Sequence, residues 1–386
     1  MVICSKSWLA LKRTGTEEVD FKMQFGERLT ANCILGDNSV IDAPMCFAKD
    51  TSGDIYLGQY YQKILRINET AKITGSLNIP VEDPLVANQG IAYVRGLDFS
   101  ADYVAIVSQT RHVIRIYSLL DYSLFAEIGT FNDPGNVNDG KLNDPRSVLW
   151  LTNGNLLVIS NNGVGSTGGG DEGHITEYDN AGNLVATRLA NFGDGQSSIG
   201  SSTVTNPRKA VYDPVDPSFI WIGESRGRLL KVNSSWQIEE IVYPQCGFDT
   251  SSLESFCFTA NGNIAIASVD FGGVIVINPA TSEVISTIYL GDYNAPRDIR
   301  DVIELSPGVF AVTVWSERNL ERGVYVVSLN KSLAIQYESF TVPTKYTLDE
   351  TLLPANFDCT SFQLTVPVSD ISCIPDSIII PLKGSC

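Results

Sequence analysis

The sequence predicts an all-β protein in which one four-strand unit recurs six times. Three observations carry this. An apolar strand, a tight polar turn and a second strand return as Lys63–Leu77, Val113–Gly129, His174–Ala190, Leu229–Val242, Val274–Leu290 and Val324–Phe340. Each copy is preceded by another strand pair: Met45–Gln59, Val94–Gln109, Pro145–Ser160, Pro207–Ser225, Leu253–Ser268 and Ile299–Trp315. The strands are rich in Val, Ile, Phe and Tyr and meet at Asn-Gly, Ser-Gly or Pro-Gly turns, which close antiparallel hairpins. The segments are short and hold no sustained 3.6-residue period, which excludes helices.

A four-strand unit every ~45–60 residues has the period of a β-propeller blade. A lone blade leaves both faces wet; set radially, each blade buries its faces against its neighbours. A β-sandwich also has many short strands, but it does not repeat one four-strand phrase six times. The expected organisation is an N-terminal arm over 1–44, six four-stranded blades over 45–345, and a C-terminal arm over 346–386. Strand-like alternation at Glu17–Leu35, Ser361–Val368 and Asp376–Leu382 gives the ends strands of their own. Those strands either close the ring or together build a seventh blade.

The repeats carry a Pro-Arg pair before an inner strand, at Pro145-Arg146, Pro207-Arg208 and Pro296-Arg297, and a Gly-Asn turn at Gly154-Asn155 and Gly262-Asn263. In these elements, over residues 45–340, the chain resembles the NHL-type propeller repeat. The family's Asp-Ser-x-Asn-x-Arg stretch is not intact in any blade. The resemblance therefore implies the fold and not an activity, because propellers host unrelated functions.

Composition narrows the partners. Hydrophobic residues make up 44% of the 386, enough for a sizeable core, and only 18% are charged. The net charge of −17 repels nucleic-acid phosphates and anionic lipid, so neither is an expected partner. No run approaches the ~18 consecutive apolar residues of a membrane span. The N-terminus lacks the continuous apolar region and small-residue cleavage site of a signal peptide. The location expected from this is a virion or the cytoplasm, with an extracellular context as the alternative. Eight cysteines match no CxxC pattern, and with only two histidines a His-based metal site is not expected. Buried free thiols are the plain reading of the cysteines; stapled ends are the alternative. The Asn-x-Ser/Thr sequons at Asn68, Asn233 and Asn330 fall at equivalent hairpin positions, where turn chemistry explains them.

Blade topology sorts the loops. The turns inside the strand pairs are short. The connections between second and third strands and between blades are long, such as Ser160–His174, Gly129–Pro145 and Ala190–Pro207. Long loops carry function more often than short ones, so they mark the binding face. Residues that follow second strands are expected to line it: Tyr60, Tyr61, Arg111, His112, Asn161, Asn162, Asp171, Glu224, Arg226, Asp270, Trp315, Glu317 and Arg318. Aromatic, arginine and carboxylate side chains together suit a protein or glycan surface. The run Gly168-Gly169-Gly170 is no phosphate cradle, because no Lys-Ser/Thr and no helix follow it.

Two functional readings result. The first is a non-catalytic propeller serving as a structural or protein/glycan-binding module that needs no cofactor. One such module is a phage virion component, whether tail, fibre-associated or capsid-decorating, attached to other subunits by its end segments. The alternative is a calcium-dependent, lactonase-like hydrolase, suggested by likeness to gluconolactonase-type propellers. It would use acids near strand ends, Asp98, Glu224, Asp270 and Asp301, converging on the central channel. Calcium has a second candidate set in Asp133, Asn136, Asn138, Asp139, Asn143 and Asp144, though Asn/Asp-Gly is also turn chemistry. No Gly-x-Ser-x-Gly elbow or Ser/His/Asp set is present.

Overall fold

The computed structural model describes residues 11–18, 41, 43–60, 63–69, 72–80, 91–135, 141–161, 173–190, 199–244, 252–290, 298–315, 323–328, 341–348, 363–367 and 377–381. It is all-β, with one 3-10 turn at Gln109–Arg111 among these residues. Six antiparallel blades form a β-propeller, each running in chain order from the centre outward. The innermost first strands are Pro44–Lys49, Val94–Phe99, Pro145–Trp150, Pro207–Tyr212, Leu253–Phe258 and Ile299–Ser306. The second strands are Ile55–Gln59, Tyr103–Ser108, Leu156–Ser160, Ile220–Glu224, Ile264–Ser268 and Val309–Val314. Third strands follow at Leu65–Ile67, Val113–Ser118, His174–Tyr178, Arg228–Val232, Gly273–Ile277 and Gly323–Ser328. Blades 1 to 5 have fourth strands at Ile73–Ser76, Leu124–Gly129, Leu184–Ala190, Ile238–Val242 and Val284–Tyr289. The segment read as the fourth strand of blade 6, Asn330–Phe340, lies outside the described residues.

The strand pairs read from sequence are therefore strands one and two, and the recurring hairpin is strands three and four. Period-two alternation does the packing. In Tyr103–Ser108, Val104 and Ile106 face blade 1 while Ala105 and Val107 face blade 3. Six separate apolar clusters result, one between each pair of neighbouring blades.

The sixth cluster closes the circle. Phe47, Leu57 and Ile67 of blade 1 pack on Ile303, Ala311 and Val324 of blade 6. Three hydrogen bonds cross the same seam: Phe47 N–H donates to Asp301 Oδ2 at 2.6 Å, Thr313 Oγ1 to the Met45 carbonyl at 3.3 Å, and Lys49 Nζ to the Glu304 carbonyl at 3.1 Å.

The chain divides into two compact units. Gln24–Leu333 holds the ring, and Met1–Met23 with Ala334–Cys386 forms the other. In the second unit Leu11–Glu18 pairs antiparallel with Thr341–Leu348, and Gln363–Pro367 pairs with Ser377–Pro381. The strands expected within Ser361–Val368 and Asp376–Leu382 are present as Gln363–Pro367 and Ser377–Pro381. At the N-terminal end the described strand starts earlier than the expected Glu17, and residues 19–40 lie outside the described ones. The two ends pair with each other; the ring counts six blades without them, not seven.

Turn chemistry is visible at two sequons. Asn68 Oδ1 accepts the Lys72 N–H at 2.8 Å, and Asn233 Oδ1 accepts the N–H groups of Ser235 and Gln237 at 2.9 and 3.0 Å. Asn330 lies outside the described residues. Cys46 and Cys257 are free, and burial pushes both thiols up, Cys257 to about 12. The other six cysteines lie outside the described residues.

Candidate functional site: the channel mouth and its aromatic rim

One device is repeated in all six blades. The register between first and second strand slips at the second residue of the first strand: between Pro44 and Cys46, Val94 and Gly96, Pro145 and Ser147, Pro207 and Lys209, Leu253 and Ser255, and Ile299 and Asp301. One extra residue is accommodated at each slip, a β-bulge, which releases a side chain from strict alternation and re-aims it. The six released residues are Met45, Arg95, Arg146, Arg208, Glu254 and Arg300. All except Met45 line one cavity in the central channel, with Lys209, Ser255 and Asp301 from the next position along. Gly96 belongs to this ring for a steric reason: a Cβ there would lie 2.7 Å from the Arg146 carbonyl oxygen.

A basic cavity thus sits inside a protein of net charge −17. Glu254 is its negative centre. It pairs with Arg95 and lies 3.6 Å from Arg208 and 3.4 Å from Arg300. Burial alone raises a carboxyl, but these guanidinium groups hold Glu254 down at about 2. Burial, with the like charges of Arg146, Arg300 and Arg208, lowers Arg95 to about 10 despite Glu254. A second cluster crosses the channel. Lys209 Nζ lies 2.8 Å from Asp301 Oδ1 and 3.0 Å from Ser255 Oγ, and Ser255 also donates to Asp301.

The mouth has a rim built by a second six-fold rule. The residue after each second strand donates its N–H to the carbonyl of the residue before the first strand. The pairs are Tyr60 to Ala43, Gln109 to Tyr93, Asn161 to Asp144, Ser225 to Asn206, Val269 to Ser252 and Trp315 to Asp298, at 2.8–3.1 Å. Residues after second strands are thereby fixed at the same end of the ring as the bulges. Four partly buried aromatics and two arginines form a continuous belt there. Arg300 stacks over Trp315 at 5.0 Å, and Trp315 lies 5.9 Å from Tyr60. Tyr60 meets Tyr93 edge-on at 4.9 Å, and Arg111 lies over Tyr93 at 4.7 Å and Phe131 at 5.2 Å.

Of the residues expected on this face, Tyr60, Arg111 and Trp315 meet in the belt. His112 and Asn161 instead hold Asp144: the Asp144 N–H donates to His112 Nδ1 at 3.3 Å, and Asn161 Nδ2 donates to its carboxylate at 3.1 Å. Glu224 is buried beside Arg228 at 2.7 Å and accepts the Thr205 N–H at 2.5 Å, so it serves the blade and not the surface. Arg226 and Asp270 are exposed. Tyr61, Asn162, Asp171, Glu317 and Arg318 lie outside the described residues, as do Gly168-Gly169-Gly170 and Pro296-Arg297. The place of a Pro-Arg pair in blade 6 is taken by Ile299-Arg300, in register with Pro145-Arg146 and Pro207-Arg208.

The acids suggested for a channel metal are dispersed into other duties. Asp301 is tied to Lys209, Glu224 to Arg228, and Asp98 accepts the Trp150 N–H at 2.7 Å across the seam between blades 2 and 3. Among the described residues no three His, Cys, Asp or Glu side chains gather as metal ligands. In the acidic loop Asp133 pairs with Lys141 at 2.6 Å and Asp144 with Arg146 at 2.8 Å; Asn136, Asn138 and Asp139 lie outside the described residues.

Asp98 makes a pH test. Burial pushes its carboxyl up to about 7, against two backbone N–H bonds that lower it. The fold therefore holds its proton more tightly than the unfolded chain does, and stability falls as pH rises from 3.8 to about 7. Asp98 keeps some exposure, so the fall is on the order of 2 kcal/mol and not the ~4 of a carboxyl shut off from water. Urea unfolding at stepped pH should show this slope in the native chain, and Asp98→Asn should flatten it.

No protein-family model matches the chain, and no curated protein matches its sequence. Among solved structures it is similar to the WD40 β-propeller domain of Doa1, at 14% identity and a TM-score of 0.48, over 75% of this chain and 80% of that one. Among the described residues no helix is long and apolar enough to cross a membrane.

Proposed function

We propose that this chain is a non-catalytic interaction module that grips another protein at the rim of its channel mouth. The observation that carries the reading is the belt Arg300–Trp315–Tyr60–Tyr93–Arg111–Phe131. Tyr, Trp and Arg are the residue types that anchor protein interfaces, because they combine large contact area with polar tips. The belt is held by backbone hydrogen bonds, so little ordering entropy is lost on binding. The second compact unit, built from the two ends, supports a further step: the module works within an assembly of subunits, of which a virion is one kind.

Site-directed photocrosslinking in the native source tests this. A photoreactive residue at Tyr93 should capture one defined protein, and one at the exposed turn residue Gly154 should not. Against that protein, Tyr93→Ala and Trp315→Ala should each weaken binding at least tenfold, about 1.4 kcal/mol, with the fold intact by circular dichroism. Equal capture from both positions refutes the rim as the interface.

A further inference from the structure

Among the described residues, the channel mouth carries one positive charge more than its acids neutralise. Five cations line it: Arg95, Arg146, Arg208, Lys209 and Arg300. Four carboxylates answer them. Lys209 is held by Asp301 at 2.8 Å, Arg146 by Asp144 at 2.8 Å and Arg300 by Asp298 at 2.6 Å, while Arg95 pairs with Glu254. Arg208 is left with a share of Glu254, at 3.6 Å, too far for a hydrogen bond, and the more distant charge of Asp144. Its Nε and Nη1 are buried and have no hydrogen-bond partner among the described residues. Buried donors without partners cost stability. The cavity beside Arg208 is open and has room for a small polar group.

We infer that the channel mouth is a receptor for a single carboxylate group, bound by Arg208. A guanidinium presents its N–H groups in a plane that matches a carboxylate, which favours this anion over a spherical halide. The carboxylate comes either as a free small acid or as an acidic group of a bound polypeptide; the chemistry at Arg208 is the same. The inference turns on Arg208, which takes no part in the aromatic belt; the two clusters share Arg300.

Calorimetry with sodium acetate, at ionic strength held constant with sodium chloride, reads it directly. The native protein should bind acetate saturably, in preference to chloride, with a matching rise in melting temperature. Arg208→Gln and the apolar Arg208→Met should each weaken acetate binding at least tenfold. In acetate-free buffer both variants should melt close to the native chain, because Glu254 keeps Arg95 and Arg300 as partners. A short peptide with one Asp, compared with its Asn counterpart, separates the two sources: Asp-dependent binding of the peptide points to a polypeptide carboxylate, acetate binding alone to a free acid, and either supports the site. The inference fails if acetate acts no more strongly than chloride, or if Arg208→Gln binds it unchanged. It fails equally if both variants lose the fold without acetate, since Arg208 would then be a structural partner.

Discussion

Replacing Glu254 by glutamine lowers the unfolding free energy by about 3–5 kcal/mol, the cost of removing one member of a buried ion cluster. The reason is local. Glu254 is the one carboxylate that Arg95, Arg208 and Arg300 share, and it arrives from a different blade than each of them. Without it, three guanidinium groups from blades 2, 4 and 6 face one another in a channel partly closed to water. Urea unfolding at neutral pH measures the loss, and an unchanged midpoint and slope would overturn the account. The native chain carries an independent signature. Its Glu254 pKa is depressed from 4.5 to about 2, so its contribution is complete above 4.5 and is lost as pH falls toward 2. Glu254→Gln should lack that acid limb. Pairing it with Arg95→Met should recover part of the loss, because the most deeply buried unmatched cation goes too.

Asp301→Ala is the second large effect, again about 3–5 kcal/mol. This side chain receives the Phe47 N–H at 2.6 Å, the Val302 N–H at 2.8 Å, Lys209 at 2.8 Å and the Ser255 hydroxyl. It thus joins blades 4, 5 and 6 to blade 1. Truncation leaves a buried backbone donor and a partly buried ammonium unanswered, at the one seam where the ring's first and last blades meet. Hydrogen exchange should therefore rise first at Phe47 and along Ile299–Ser306, while the seam between blades 3 and 4 keeps its protection. Asp301→Asn retains an acceptor oxygen and should fall between native and alanine. Uniform loss of protection around the ring would show that the seam has no special dependence on Asp301.

The strands and their sixfold count were legible because each blade writes its own period: alternating Val, Ile, Leu and aromatic residues between turn residues. The belt was half legible. Tyr60, Arg111 and Trp315 follow second strands, which sequence spacing locates; Tyr93 precedes the first strand of blade 2 and Phe131 follows its fourth, and both join through Arg111. The arginine ring was missed as a site. Arg146 and Arg300 pair with Asp144 and Asp298 two positions away, yet Arg208 and Arg300 also meet Glu254, and Arg95 meets it across 159 positions. Superimposing the second residue of each inner strand would have exposed the series Met, Arg, Arg, Arg, Glu, Arg. The pairing of Leu11–Glu18 with Thr341–Leu348 leaves no local mark, since neither strand names its partner.

The recurrent bulge gives the ring a writable position. Because the extra residue in each inner strand is excused from alternation, its identity is uncoupled from the six apolar clusters that hold neighbouring blades together. The charges of the mouth must still balance one another, as Glu254 does for its three arginines, but they do so without the apolar wall. Arginine at Met45 or glutamate at Arg208 would re-spell the charge of the mouth one letter at a time, on an unaltered wall.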